Sequence, residues 1–137
     1  SRFGTVKDYF KVANDGVSVI VQIETPEAMA KLEEIASVPG VDSLFFGPGD
    51  LSGAMGHVGN LMHDDVVKLM ADGVKRCHAL GIPVGTVGGT PEAVAIYRAS
   101  GFDYIACASD LGLMMRNCAA ILSTIRSQDI KIHSQGY

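Results

Sequence analysis

Ser18-Val-Ile-Val-Gln-Ile23 runs straight into Glu24-Thr-Pro-Glu-Ala28, and then into a stripe of apolar residues at Ala28, Met29, Leu32, Ile35 and Ala36. The first stretch is rich in β-branched residues, and the stripe has the three-and-four spacing of a helix face. Between them Thr25 can accept a free N–H at a helix start, Pro26 suits the first helical position, and Glu27 meets the positive end of the dipole. A strand therefore feeds directly into a helix over residues 26–37.

The same change of period repeats on the C-terminal side. Strands are expected at residues 42–46, 82–86 and 104–108, and helices at 64–80, 91–100 and 111–126. Gly81 and Gly101 stand where helix stops are expected. A short helix near 5–14 precedes the series, and a Gly-rich loop is expected over 47–60. Thr90-Pro-Glu-Ala93 echoes Thr25-Pro-Glu-Ala28, again just after a strand. Alternation of this kind gives parallel strands with right-handed crossovers. The expected fold is a (β/α)8 TIM barrel, of which this chain supplies about the last four βα units. An open four-stranded sheet is the alternative. It usually announces a nucleotide loop after its first strand, and no G-x-G-x-x-G or Walker sequence is present. Residues 1–126 are read as the half-barrel, and 127–137 as a polar tail that is loose or docks on a neighbour.

Composition narrows the function. Of 137 residues, 47% are hydrophobic and 19% charged, which is the profile of a packed domain. No apolar run approaches the roughly 18–20 residues of a membrane span. Eleven basic against fifteen acidic residues give a net charge of −4 without a basic cluster, which argues against nucleic acid as partner. Cys77, Cys107 and Cys118 are scattered, with no C-x-x-C pair. We expect buried thiols in a reducing compartment, the cytoplasm. The opening Ser1-Arg-Phe-Gly4 lacks a signal-peptide pattern and an initiator Met, so a processed or truncated end is expected.

Catalytic groups of a barrel sit at the C-terminal ends of its strands. Glu24 and Asp50 are lone carboxylates at two such ends, one βα unit apart. Neighbouring strands lie roughly 5 Å apart. Carboxylates that close repel unless a cation lies between them or one is protonated. Hard oxygen ligands with open positions suit Mg2+ or Mn2+. The competing reading is that Glu24 caps its helix and Asp50 caps a turn. Gly47-Pro48-Gly49 leaves little side chain beside the pair, so backbone N–H groups there could approach an anion. Gln22 points to the same side as Glu24 and either meets substrate or fills a polar layer.

Two longer stretches carry a family likeness. Val21-Gln-Ile-Glu-Thr-Pro-Glu-Ala28, followed by Val41-Asp-Ser-Leu-Phe-Phe-Gly-Pro-Gly-Asp-Leu-Ser52, resembles the HpcH/HpaI aldolases. These are metal-dependent class II pyruvate aldolases related to the citrate-lyase β and malyl-CoA lyases. Ala54-Met-Gly-His-Val-Gly-Asn60 and His63 resemble the family's loop after its sixth strand.

The resemblance implies that Glu24 and Asp50 hold a divalent metal, Mg2+ or Mn2+, with Co2+ a further candidate. It places Gln22 beside a bound 2-oxo acid whose carboxylate is held by the backbone at Gly49 and Asp50, in the turn begun by Gly47 and Pro48. It implies retro-aldol cleavage of a 4-hydroxy-2-oxo or 2-oxo-3-deoxy acid to pyruvate and an aldehyde, through a metal-stabilised pyruvate enolate. Thr86, Val87 and Ser109 would line the far side of the pocket. Gly88-Gly89 would form a pocket wall or a phosphate cradle. Asp110 would cap the last helix. The family's Arg and His–Asp pair belong to its first three strands, so no residue here takes those roles, and an N-terminal half-barrel is required. It would come from a longer gene product or a second chain, or have been lost. His57 lies on an active-face loop and could line the entrance, and His78 is expected to be structural or solvated. A homo-oligomer is implied, with the last helix at an interface. The alternatives are a malyl-, citramalyl- or citryl-thioester lyase, and a non-catalytic half-barrel that works only with another polypeptide.

Overall fold

The computed structural model describes residues 2–127. Four strands, β1 (Ile20–Ile23), β2 (Ser43–Phe46), β3 (Val84–Val87) and β4 (Tyr104–Ala106), form one sheet in the order β1-β2-β3-β4, all parallel. After a single-turn helix, α1 (Tyr9–Val12), the connections are α2 (Pro26–Ala30) with α3 (Leu32–Ala36), then α4 (Pro48–Ala54) with α5 (Asp64–Ala79), then α6 (Pro91–Ala99). Helix α7 (Asp110–Ser127) follows β4. The rest of the expected tail lies outside the described residues.

The two sheet faces differ sharply. Ile23, Leu44, Phe46, Val84 and Thr86 alternate onto one face and are fully buried against Met29, Leu32, Leu51, Val66, Met70, Val74, Cys77 and Tyr97 of the helices. The other face carries Ile20, Gln22, Phe45, Gly85, Val87 and Tyr104, and Ile20 is 52% exposed. A sequential strand order with a core on one face only is the wall of a barrel. A doubly wound sheet reverses its strand order and buries both faces.

Close approach at two glycines sets this packing. A Cβ on Gly73 would lie 2.6 Å from Met29 Cε and 2.7 Å from Phe46 Cε2, so its absence lets α5 settle on the sheet. A Cβ on Gly85 would lie 2.1 Å from the Tyr104 ring, which lies over β3 on the open face. The Tyr104 hydroxyl is 2.7 Å from Ser43 Oγ and donates to the Leu44 carbonyl at 3.1 Å. Arg76 of α5 grips Glu33 of α3 through two hydrogen bonds, at 2.7 and 2.5 Å. That contact holds the Glu33 carboxyl down to about 2.

Several boundaries differ from the sequence reading. The helix expected over 26–37 breaks at Lys31 (φ −104°, ψ 21°), and Met29 and Leu32 are fully buried on either side of the break. The Gly-rich loop over 47–60 contains α4. Gly49 and Gly53 lower its helix propensity, but Pro48 starts it and complete burial of Leu51 and Ser52 holds it. Only Cys77 is a buried thiol, pushed up to about 11 by burial, whereas Cys107 and Cys118 are exposed. Leu113, Met114, Met115, Ile121, Leu122 and Ile125 of α7 stay about half exposed within this chain. No described helix is long and apolar enough to cross a membrane.

Candidate active site at the strand ends

The C-terminal ends of β1 and β2 are zipped by Gly47 N–H donating to the Ile23 carbonyl at 3.0 Å. Glu24 directly follows β1 and is half-buried, and the Gln22 amide donates to its Oε2 at 2.5 Å. A Cβ on Gly47 would lie 2.9 Å from Gln22 Nε2 and 3.1 Å from Glu24 Oε2. The bare position at 47 therefore makes room for both side chains. Past it, Pro48 opens α4 and Asp50 lies in the first turn, exposed.

Neither Glu24 nor Asp50 takes the competing capping role. Thr25 Oγ1 caps α2 by accepting from Ala28 N–H at 3.1 Å. In α4, no side chain caps the start, and Ser52 Oγ donates to the Gly49 carbonyl at 2.7 Å. Among the described residues, the Asp50 side chain makes no hydrogen bond or ion pair, and Gln22 is the sole side-chain partner of the Glu24 carboxylate. Leu51 is the first residue of α4 with a backbone acceptor, the Gly47 carbonyl at 3.1 Å, as expected of a helix start whose earlier N–H groups face outward. Glu24, held only by the Gln22 amide, and the exposed Asp50 that follows the neighbouring strand are hard oxygen donors of the kind a divalent cation takes.

The far side needs correction. Thr86 is fully buried on the helix face, and its hydroxyl donates to the Phe46 carbonyl at 2.9 Å, so its side chain does not line the open face. Strand alternation puts Val87, 38% exposed, on the open face instead. The bareness of Gly88 is explained by packing, because a Cβ there would meet Val94 Cγ2 at 3.0 Å and Tyr97 at 3.4 Å. Ser109 accepts from Gly112 N–H at 3.1 Å and so caps α7, a role expected of Asp110. Asp110 accepts from Leu111 N–H at 2.7 Å within the first turn.

Of the histidines, His78 pairs with Asp103 at 3.1 Å, structural as expected. His57 stacks on His63, with ring centroids 3.5 Å apart, and both face Asp65. The three could hold a metal ion. The sequence reading missed this grouping. The available signal was the spacing His57-x5-His63-x-Asp65.

Comparison with known proteins supports the fold. The chain is 51% identical over 128 residues to a 2-dehydro-3,6-dideoxy-6-sulfogluconate aldolase of Pseudomonas putida, covering 93% of this chain and 50% of that protein. It is 36% identical to a 5-keto-4-deoxy-D-glucarate aldolase of Shigella dysenteriae, covering 90% and 48%. A crystal structure of an HpcH/HpaI aldolase/citrate lyase family protein from Burkholderia cenocepacia superposes with a TM-score of 0.80 at 37% identity, covering 91% of this chain and 49% of that one. The chain thus spans about half the length of the proteins it matches. The sequence profile of the HpcH/HpaI aldolase/citrate lyase family matches residues 3–117, and on that match the chain belongs to this family.

Proposed function

We propose that this chain is the metal-holding half of a class II aldolase that cleaves a 4-hydroxy-2-oxo or 2-oxo-3-deoxy acid to pyruvate and an aldehyde. The observation that carries the reading is the pair Glu24 and Asp50, which follow adjacent strands free of capping duty, with the bare Gly47 making room for Glu24. The names of the relatives, aldolases acting on sulfogluconate and glucarate derivatives, support the substrate class.

Glu24 and Asp50 would hold the cation, with Mg2+ or Mn2+ favoured by all-oxygen ligation and Co2+ acceptable. Once bound, the cation supplies Lewis acidity toward the charge that develops on the 2-oxo oxygen. The protein's own groups do the rest. Gln22 is fixed by its bond to Glu24 and orients the 2-oxo acid. The Gly49 and Asp50 N–H groups at the start of α4 receive its carboxylate. Gly47 and Pro48 keep the approach clear, and Val87 forms part of the wall. Proton handling and a guanidinium grip fall to residues of the N-terminal half-barrel. That half also covers the open sheet face, which is an aggregation hazard when bare.

The apolar side chains exposed along α7 support a homo-oligomer with this helix at an interface. The unpaired Cys107 and Cys118 support a cytoplasmic setting.

The test is pyruvate release by the full-length protein across several 2-oxo-3-deoxy acids, with and without chelator. Glu24→Gln and Asp50→Asn are each expected to lower turnover by about 1000-fold or more, the scale of losing a charge-stabilising group. Wild-type turnover in either variant, or turnover indifferent to chelator, would refute the proposal.

A further inference from the structure

Where the loop after α4 meets the start of α5, three ligand-type side chains converge that the aldolase reading does not use. His57 Nε2 and His63 Nδ1 each lie 3.7 Å from the same oxygen, Asp65 Oδ2. One ligand atom from each of the three residues lies within 4.8 Å of the other two. The imidazole rings are stacked at 11° between planes. A separation of 3.7 Å is too long for a hydrogen bond. Two nitrogens facing one carboxylate oxygen at that distance leave a gap that neither ring closes.

We propose that His57, His63 and Asp65 form a site for a borderline divalent transition metal such as Zn2+, built from different residues than the Glu24 and Asp50 pair. The centre of such a triangle is roughly 2.1–2.4 Å from each ligand atom, against about 2.0–2.2 Å for Zn–N and Zn–O bonds, so the spacing suits the ion once the stacked rings turn their nitrogen lone pairs toward it. Two imidazoles and a carboxylate favour Zn2+, Co2+ or Ni2+ over Mg2+. The loop backbone that carries the two imidazoles is held in place beforehand. His57 N–H donates to the Ser52 carbonyl at 2.7 Å, Asn60 N–H to His57 at 2.9 Å, and His63 N–H to Asn60 at 3.1 Å. Access is open, because the Asp65 side chain is 60% exposed. Capture exchanges one existing contact, the Asp65 N–H donation to His63 Nδ1 at 3.2 Å, and opens the ring stack. The ion would cross-link the loop to α5 and so brace the far end of α4, whose first turn carries Asp50.

The experiment uses metal-stripped full-length protein in excess Mg2+, with Zn2+ titrated against a chromophoric chelator. Wild type and Glu24→Gln are each expected to bind one Zn2+ per chain through this site. His57→Ala, His63→Ala and Asp65→Asn should weaken that binding by about 100-fold or more, the scale of losing one of three protein ligands. Zn2+ should also raise the Tm of wild type but not of His57→Gln, a milder variant whose melting without zinc reports whether the fold survives. Unchanged zinc affinity in the two histidine variants would overturn the site. So would an absence of zinc binding by wild type at micromolar concentration.

Discussion

The β1–β2 unit and the β3–β4 unit are built on the same frame and end differently. In each, a threonine caps the helix that follows the first strand: Thr25 accepts from Ala28 N–H at 3.1 Å and Thr90 from Ala93 N–H at 3.2 Å. In each, an aspartate at the foot of the second strand clasps the start of the first. Asp42 Oδ2 accepts from Val19 N–H at 2.7 Å, and Asp103 Oδ2 from Val84 N–H at 2.8 Å. The strand tops part company. The residue before Thr25 is Glu24, and the residue before Thr90 is Gly89. Beyond β2 comes a helix whose Asp50 carboxylate has no partner among the described residues, and beyond β4 a helix capped by Ser109. The frame recurs where the chain must fold, and the two proposed metal ligands fall at positions where the two units differ.

The largest expected difference lies between two bare glycines. Gly47→Ala would press its methyl on the Gln22 amide and the Glu24 carboxylate, side-chain ends that can move aside, and on Glu24 Cβ at 3.1 Å, which must give by a few tenths of an ångström. The fold should survive while the ligands shift, and a displacement on the scale of an ångström can cost about 100-fold in turnover. Gly88→Ala meets Val94 and Tyr97 in the helix packing. It should cost about 1–3 kcal/mol of stability as overpacking, with turnover per folded molecule little changed. Pyruvate release and thermal melting on both variants of the full-length protein decide it. Equal activity losses in the two would erase the distinction drawn between chemistry and packing glycines.

A middle-sized effect tests the shared frame. Thr25→Ala and Thr90→Ala each remove one helix N-cap of near-identical geometry, and each should cost about 1 kcal/mol. Denaturant melts of the full-length variants should give matching losses. A cost confined to one of them would show that the repeated Thr-Pro-Glu-Ala wording is not a repeated structural device.

Most of the frame was legible because it is local. Period changes, Thr-Pro starts and glycine stops each act within a few residues, and they located all four strands and the three long helices. Helix α4 was illegible for the converse reason. Its glycines argue against helix, and only tertiary burial of Leu51 and Ser52 reverses the balance. The candidate ligands Glu24 and Asp50 could be picked out as lone carboxylates at strand ends. Thr86 was misplaced because a strand's facing is fixed by register, and a one-residue change turns a side chain from pocket to core. The His57, His63 and Asp65 cluster depends on two tight turns, so spacing alone did not announce it.

The smallest effect concerns the clasp at the foot of the β3–β4 unit. Burial pushes the Asp103 carboxyl up, but the Val84 N–H and His78 beside it outweigh that and hold it below the usual carboxylate range. A depressed folded value means that the stabilisation is present above the unfolded value of about 3.9 and is lost as pH falls through the folded one. The side chain is 40% exposed, so solvent screening limits the effect to a few tenths of a kcal/mol. Asp103→Asn keeps an oxygen to accept from Val84 and removes the charge. Its stability should therefore fall less than that of wild type between pH 6 and the acid limb (about pH 3), by that margin. Chemical denaturation at the two pH values measures the difference. An acid limb identical to wild type would mean that the carboxylate acts only as a neutral acceptor, and that the two clasps differ in sequence position alone.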